Sequence, residues 1–460
     1  MGVLKLERAL AWWVLLAATG ALALIAIAHW LAAIPLHAPI LFGEGAVAHA
    51  AMLARDRLEY APPAADGPIF VAANYPPLYF HLAGIGDPFV TGRVLSIAGT
   101  LFVASAIAWR ARAGGPLIAV SLTAAWLAAI PVTVWGPALK PDLIALALTV
   151  GAVLVLERGG GPVAAGIIIV LAITAKPTAV LPAFALGLLL TWRDRGAAIR
   201  YMVAALATGA TILVATGSAD AQMFEHVVAW NALPWRAEQA VLLGVLGLLL
   251  FGVTIVWLAI ARRSLDAITV YALSAVGIVM LGGRDGATIN YLLDLTASAS
   301  LGIGALAGSL RGTVGYPLAA ATQAVVAVAL LNPFGVLPWR AISSGAWAPP
   351  DRLAVVRAIP GDLLVEDAGL LIADGREARV DDLFLLSRLM ERGDFPAGER
   401  LISTVRSGGF DAIVSETDLA RLSQAPAFER QRWHTSLVNA VLDRYQLEGE
   451  TIGLFVYRRR

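Results

Sequence analysis

"ALAWWVLLAATGALALIAIAHWLAAIPL", residues 9–36, and shortly after it "LFGEGAVAHAA", residues 41–51, decide the class of fold. The first stretch holds no Asp, Glu, Lys or Arg. It is long enough to cross about 30 Å of hydrocarbon, which takes roughly 20 apolar residues in a helix. The second stretch sets one carboxylate, Glu44, between two glycines at the edge of that span. An acid at this depth needs a compensating reason, since a charge near hydrocarbon is costly.

Comparable apolar runs recur as far as residue 331, about eleven in all. The others lie near 90–109, 115–135, 142–156, 162–174, 178–192, 201–216, 240–260, 267–282, 295–310 and 313–331. At "AITAKPTAV", Lys176 and Pro177 either separate two short helices or kink one. Of the 460 residues, 58% are hydrophobic and 15% charged, with mean hydropathy +0.75. These values describe an all-α polytopic membrane protein and not a soluble globule. The first span has a basic start but is too long for a cleaved signal, and no polar mature domain follows it. A net charge of +1 argues against nucleic-acid binding, and the absence of cysteine excludes disulfides and thiol chemistry.

Arg and Lys in short loops stay preferentially cytoplasmic. "MGVLKLER", Arg110 and Arg112, Arg158, Arg193, Arg195 and Arg200, Arg262 and Arg263, and Arg311 alternate onto one side, which is expected to be inside together with the N-terminus. The opposite side receives the loop of about 37–89, the turns around Lys140 and Lys176, "GSADAQMFEHVVAWNALPWRAEQ" and "GRDGATINYLLD". An odd number of spans puts the tail outside as well.

Near residue 332 the long apolar runs stop and charges become frequent. The stretches "DLLVED", "GLLIAD", "FDAIVSE" and "IGLFVYRRR" read as strands, alternating with helical "DDLFLLSRLMERG" and "TSLVNAVLDRYQ". The expected division is therefore 1–331 as a membrane domain and 332–460 as a small extracytoplasmic α/β domain, which serves either as a packing or lid domain or in acceptor binding.

Polar residues concentrate at the outer face. "AVAHAAMLARDRLEYAPP" reads as a short interfacial helix ended by Pro62 and Pro63. "NYPPLYFHLAG" follows with Tyr75, Pro76, Pro77, Tyr79 and His81, and Arg93 opens the second span. Four cations fall in the same layer, Arg93, Lys140, Lys176 and Arg284, along with the acids Glu44, Asp142, Asp285 and Asp294. Either these charges pair among themselves and hold helices together, or they form a site for an anionic lipid headgroup, with Arg as the natural bidentate partner of a phosphate. His49 and His81 read as interface histidines or substrate contacts, and Asn290 and Tyr291 as cavity-lining residues. The spaced glycines of "GRDGATIN" are no nucleotide fingerprint, since no soluble strand precedes them.

The order of these pieces, an acid after the first span, "LEYAPP", "NYPPLYFHLAG", "GRVLSIAGTLFVASAIAWRAR", "KPDLIALAL", "AKPTAVLPA" and "GRDGATINYLLD", resembles the GT-C membrane glycosyltransferases. It is most similar to glycosyltransferase family 39, which includes protein mannosyltransferases and lipid A aminoarabinose transferases. The resemblance implies a GT-C-like catalytic domain that takes a sugar from a polyprenyl-phosphate carrier outside the membrane and passes it, with inversion, to a glycan, lipid or protein acceptor. It assigns catalysis to Glu44, matches the family's "PPL" loop to Pro76, Pro77 and Leu78, and matches its second-span arginine to Arg93. Many relatives carry two adjacent acids where this chain has Gly43 and Glu44.

One carboxylate suffices for an inverting displacement. It accepts the proton of the acceptor hydroxyl as the new bond forms, a contribution of about 10² to 10⁴-fold. The phosphate leaving group needs only cations, a role that suits Arg93, Lys140, Lys176 and Arg284. Asp142 is the second acid, positioned to orient the acceptor or to pair with Lys140. No cofactor is required and no metal residues are assigned. A divalent cation fits the class, but a single acid with scattered neighbours makes a poor site for one. Two other readings share the pattern of spans: a secondary transporter or lipid flippase with broken helices, and a GT-C-fold pseudoenzyme that has lost an acid.

Overall fold

The computed structural model describes residues 2–62, 67–261, 264–331, 351–393 and 395–460. Pro63, Arg262, Arg263 and residues 332–350, which hold the expected domain boundary, lie outside the described residues. The chain forms two compact units. The first contains the described residues up to Ile34, Arg93–Leu213, and those from Pro234 to the helix Gly315–Leu331. The second contains those of Pro35–Gly92, Val214–Leu233 and the described residues from 351 to Arg460.

In the first unit every expected apolar run corresponds to helix. Four helices, at Leu6–Ala33, Pro88–Gly114, Arg195–Thr216 and Ala237–Ala261, are long and apolar enough to cross a membrane, and shorter apolar helices pack among them. Large side chains such as Trp192, Leu206 and Ile260 remain exposed, the pattern expected of surfaces solvated by lipid rather than water. The run at 115–135 is broken into Pro116–Leu127 and Ile130–Trp135 at an extended Ala129, because Pro131 cannot donate to a continuing helical ladder. "AKPT" separates two helices: Lys176 ends Pro162–Ala175 in an extended conformation, and Pro177 opens the turn leading into Val180–Arg193.

The second unit contains a four-stranded sheet, β1 (Leu363–Val365), β2 (Ala412–Ser415), β3 (Tyr445–Thr451) and β4 (Leu454–Arg459), in the order β1-β2-β4-β3. β1 and β2 run parallel, and the other neighbouring pairs are antiparallel. Ile452 and Gly453 close the β3–β4 hairpin with φ of 54° and 70°, a turn in which both central residues are left-handed. "GLLIAD" forms the helix Gly369–Ala373 and not the expected strand. Asp367 Oδ1 accepts the Gly369 N–H at 3.0 Å and turns the chain, and a five-residue apolar run carries no periodicity that would separate helix from strand.

The first loop and the tail share one core. Phe70, Trp230, Leu364, Leu386, Leu401 and Trp433 are all buried in it. Phe70 bridges Val380 in parallel, and the Ile69 N–H donates to the Arg379 carbonyl at 2.6 Å.

Candidate functional site

In the second unit, Glu44 opens the helix Glu44–Leu53, where a carboxylate is favoured by the helix dipole. Gly43, at φ 78°, is left-handed, a conformation glycine adopts without steric cost. Gly45 is required for a different reason: a Cβ there would stand 2.2 Å from the Gly369 backbone nitrogen. The glycines on either side of Glu44 thus make the turn and admit the Gly369–Ala373 helix. Glu44 itself is fully buried, and its Oε2 accepts the Ile40 N–H at 2.9 Å.

A second acid lies in this neighbourhood. Burial raises the Asp367 carboxyl to about 7, reinforced by the negative charges of Glu416 and, more weakly, Glu44. The Gly369 N–H and Arg432 oppose the shift. Arg432 is held by Glu366 at 2.9 Å and Glu416 at 2.6 Å, and its guanidinium lies 3.8 Å from the centre of the Phe42 ring. A cavity of about 620 Å³ runs along residues 35–42 and is bounded by Asp351, Arg352, Asp367 and Glu416. Sequence reading missed Asp367 because no local pattern links it to Glu44.

The other expected residues of this unit are tied into its framework. His49 Nδ1 is 2.9 Å from Asp381 Oδ2, and Asp381 also accepts the Ala72 N–H at 2.8 Å. Tyr79, Pro76 and Pro77 are buried, and the Tyr75 carbonyl accepts from the Tyr60 hydroxyl at 2.6 Å. His81 Nε2 lies 3.2 Å from Glu59, which Ser218 also reaches. His226 stacks on Trp230 at 3.9 Å, and burial lowers its imidazole to about 4.

In the first unit, Asp142 opens the helix Asp142–Glu157 and is buried. Its Oδ1 accepts from Lys176 Nζ at 2.5 Å and from Asn290 Nδ2 at 2.7 Å, while its buried Oδ2 has no hydrogen-bond partner among the described residues. The Lys176 ammonium also lies 5.2 Å from the centre of the Tyr291 ring, and the Tyr291 hydroxyl accepts from Arg284 at 3.0 Å. The structure therefore brings Asp142, Lys176, Arg284, Asn290 and Tyr291 into one cluster. The partner of Asp142 is Lys176, in contrast to the pairing with Lys140 weighed from the sequence. Lys140 instead offers its carbonyl to Ser96 at 3.2 Å.

Asp285 is held by Arg236 at 3.0 Å. Gln239, which sequence reading also missed, fixes the 282–287 turn through the carbonyls of Gly282, Arg284 and Ala287. Tyr271 donates to Asp294 at 2.9 Å. Arg93 is fully buried and donates to the Ala33 carbonyl at 3.3 Å. Among the described residues no three His, Cys, Asp or Glu side chains are grouped to hold a metal ion.

No family model and no curated protein matches the chain. Among solved structures, ArnT from Cupriavidus metallidurans in its apo state matches with a TM-score of 0.54 at 13% identity, covering 96% of this chain and 98% of that one. The same transferase bound to undecaprenyl phosphate matches equally well. ArnT, the lipid A aminoarabinose transferase, is a GT-C glycosyltransferase. The chain has a GT-C fold. Within that GT-C fold this chain is an integral membrane protein whose polytopic helical region is joined to a small C-terminal sheet domain.

Proposed function

We propose that this GT-C protein is an inverting glycosyltransferase that moves a sugar from a polyprenyl-phosphate carrier to an acceptor hydroxyl on the outer face of the membrane. The observation that carries the reading is the cluster of buried Asp142, Lys176 and Tyr291 with half-buried Arg284 and Asn290, in a fold shared with a transferase that binds undecaprenyl phosphate. Lys176 gives one N–H to Asp142, and an ammonium has three. The other Lys176 donors suit the oxygens of a lipid phosphate, and the charges of Lys176 and Arg284 would stabilise the phosphate as it leaves. Arg93 and Lys140 are assigned to the same electrostatic role.

Glu44 is assigned as the base. Its carboxylate would take the proton of the acceptor hydroxyl as that oxygen bonds to the anomeric carbon and the carbon–phosphate-oxygen bond breaks. His49, Tyr75, Pro76, Pro77, Tyr79 and His81 shape the loop that holds Glu44, and Asp285, Asn290 and Tyr291 shape the turn beside Lys176. The sheet domain supplies Gly369, against which Gly45 packs, so its proposed part is to seat the helix bearing the base.

The test is transfer of radiolabelled sugar by the purified protein in nanodiscs from a panel of polyprenyl-phosphate and polyprenyl-diphosphate sugars to glycan, lipid and peptide acceptors. Product from at least one donor is expected. If no donor is turned over, and the reconstituted protein instead moves a lipid or solute across vesicles, the transport reading replaces this one.

A further inference from the structure

The helix Asp142–Glu157 carries Asp142 at its first residue and is followed at its other end, about 24 Å away at 1.5 Å per residue, by Arg158. A second feature gathers there, remote from the Asp142 cluster. Trp109, near the end of the helix Pro88–Ala111, has the Arg158 guanidinium 3.9 Å from its ring centre, Arg112 at 4.4 Å and Arg110 at 5.8 Å. Arg110 is neutralised by Glu157 at 3.3 Å. Arg112 uses one N–H on the Trp109 carbonyl at 3.0 Å. Arg158 makes no ion pair with any described residue, and both Arg112 and Arg158 are exposed.

Next to these cations lies a groove of about 420 Å³ between Pro88–Ala111, Asp142–Glu157 and Pro162–Ala175. Its walls are apolar, made by Phe102, Ala106, Leu154, Val155 and Ile168, and the polar groups at its margin are Ser105, Trp109 and Arg158. Phe102 is 47% exposed, so this wall faces the bilayer rather than the protein interior. An apolar trough that ends at an indole with two exposed guanidiniums has the two-part chemistry of a lipid, a chain and an anionic head. Basic pockets between spans and interfacial tryptophans serve this purpose in membrane proteins. Retention of arginine on one side of the membrane explains the presence of cations here, but not their stacking on one ring at the mouth of a groove.

We propose that this groove binds an anionic glycerophospholipid of the surrounding bilayer. One acyl chain lies along Phe102, Ala106, Leu154 and Ile168, and the phosphate accepts hydrogen bonds from Arg112 and Arg158. Bidentate guanidinium contacts to phosphate oxygens give the site its preference for charge, and the apolar wall gives it residence. This inference stands apart from sugar transfer and holds whether or not Glu44 is a base.

The test is native mass spectrometry of the full-length protein released from nanodiscs containing equal amounts of phosphatidylglycerol and phosphatidylcholine. Wild type is expected to retain phosphatidylglycerol selectively. The doubly substituted Arg112→Gln/Arg158→Gln protein should lose affinity for it by about tenfold or more, while Arg200→Gln, at an exposed arginine elsewhere, should retain it. Ser105→Trp, which fills the groove without removing charge, should reduce the amount bound and leave the headgroup preference intact. Equal retention by wild type and the double variant, or equal retention of both phospholipids by wild type, would overturn the proposal. So would displacement of phosphatidylglycerol by equimolar undecaprenyl phosphate, which would make the occupant a prenyl lipid.

Discussion

Asp142 and Lys176 meet at 2.5 Å, one at the start of a helix and the other just past the end of the next, and both are buried. Removing either partner leaves a buried charge without its counter-ion, at a cost of about 3 to 5 kcal/mol. Lys176→Met and Asp142→Leu are each expected to lower the thermal midpoint in detergent sharply. The double variant should lose less than the sum of the two. Additive losses in this double-mutant cycle would mean that the pair is not coupled.

Gly45 meets the Gly369 backbone so closely that no side chain fits without a shift of main chain. Gly45→Ala should therefore destabilise the seat of the Glu44 helix by about 1 to 3 kcal/mol, in the range of overpacked cores. Gly449, whose added Cβ would meet nothing, provides the control. Equal thermal midpoints for Gly45→Ala and Gly449→Ala would contradict the close approach.

Asp367 titrates at about 7 when folded, raised by burial and by Glu416 and Glu44, against 3.8 when unexposed to them. The folded state therefore binds more protons than the unfolded state between those values, and stability falls as pH rises from about 4 to 7. Asp367→Asn should remove this loss, leaving the variant more stable than wild type at pH 8 and the two closer together at pH 5. Parallel curves of thermal midpoint against pH would show that Asp367 is ionised in the fold throughout.

Ile452 sits at φ 54° in the β3–β4 turn, where a β-branched residue is strained. Asparagine tolerates this region, and Ile452→Asn should raise stability by about 1 kcal/mol. Chemical denaturation reads this directly, and a loss of stability would show that the partly exposed isoleucine packs productively.

The membrane region was legible because its information is local. Long uncharged runs give helices, and Pro131 and Pro177 mark where they break. β1, β2 and β4 were legible as apolar stretches of strand length, whereas "GLLIAD" was not, since its conformation is set by the Asp367 contact to Gly369. Glu44 stood out as a charge beside a span. The packing of the adjacent Gly45 against Gly369, the nearby Asp367, and the choice of Lys176 over Lys140 by Asp142 all depend on residues distant in sequence, and no spacing rule announces them.

The central claim is that Glu44 accepts a proton during sugar transfer, and Glu44→Gln tests it most directly. Glutamine keeps the size of the side chain and an oxygen for the Ile40 N–H but cannot serve as a base. With the donor that wild type uses, transfer of labelled sugar by Glu44→Gln in nanodiscs should fall by about 10²-fold or more while undecaprenyl phosphate binding and the thermal midpoint change little. Transfer at the wild-type rate would contradict the account.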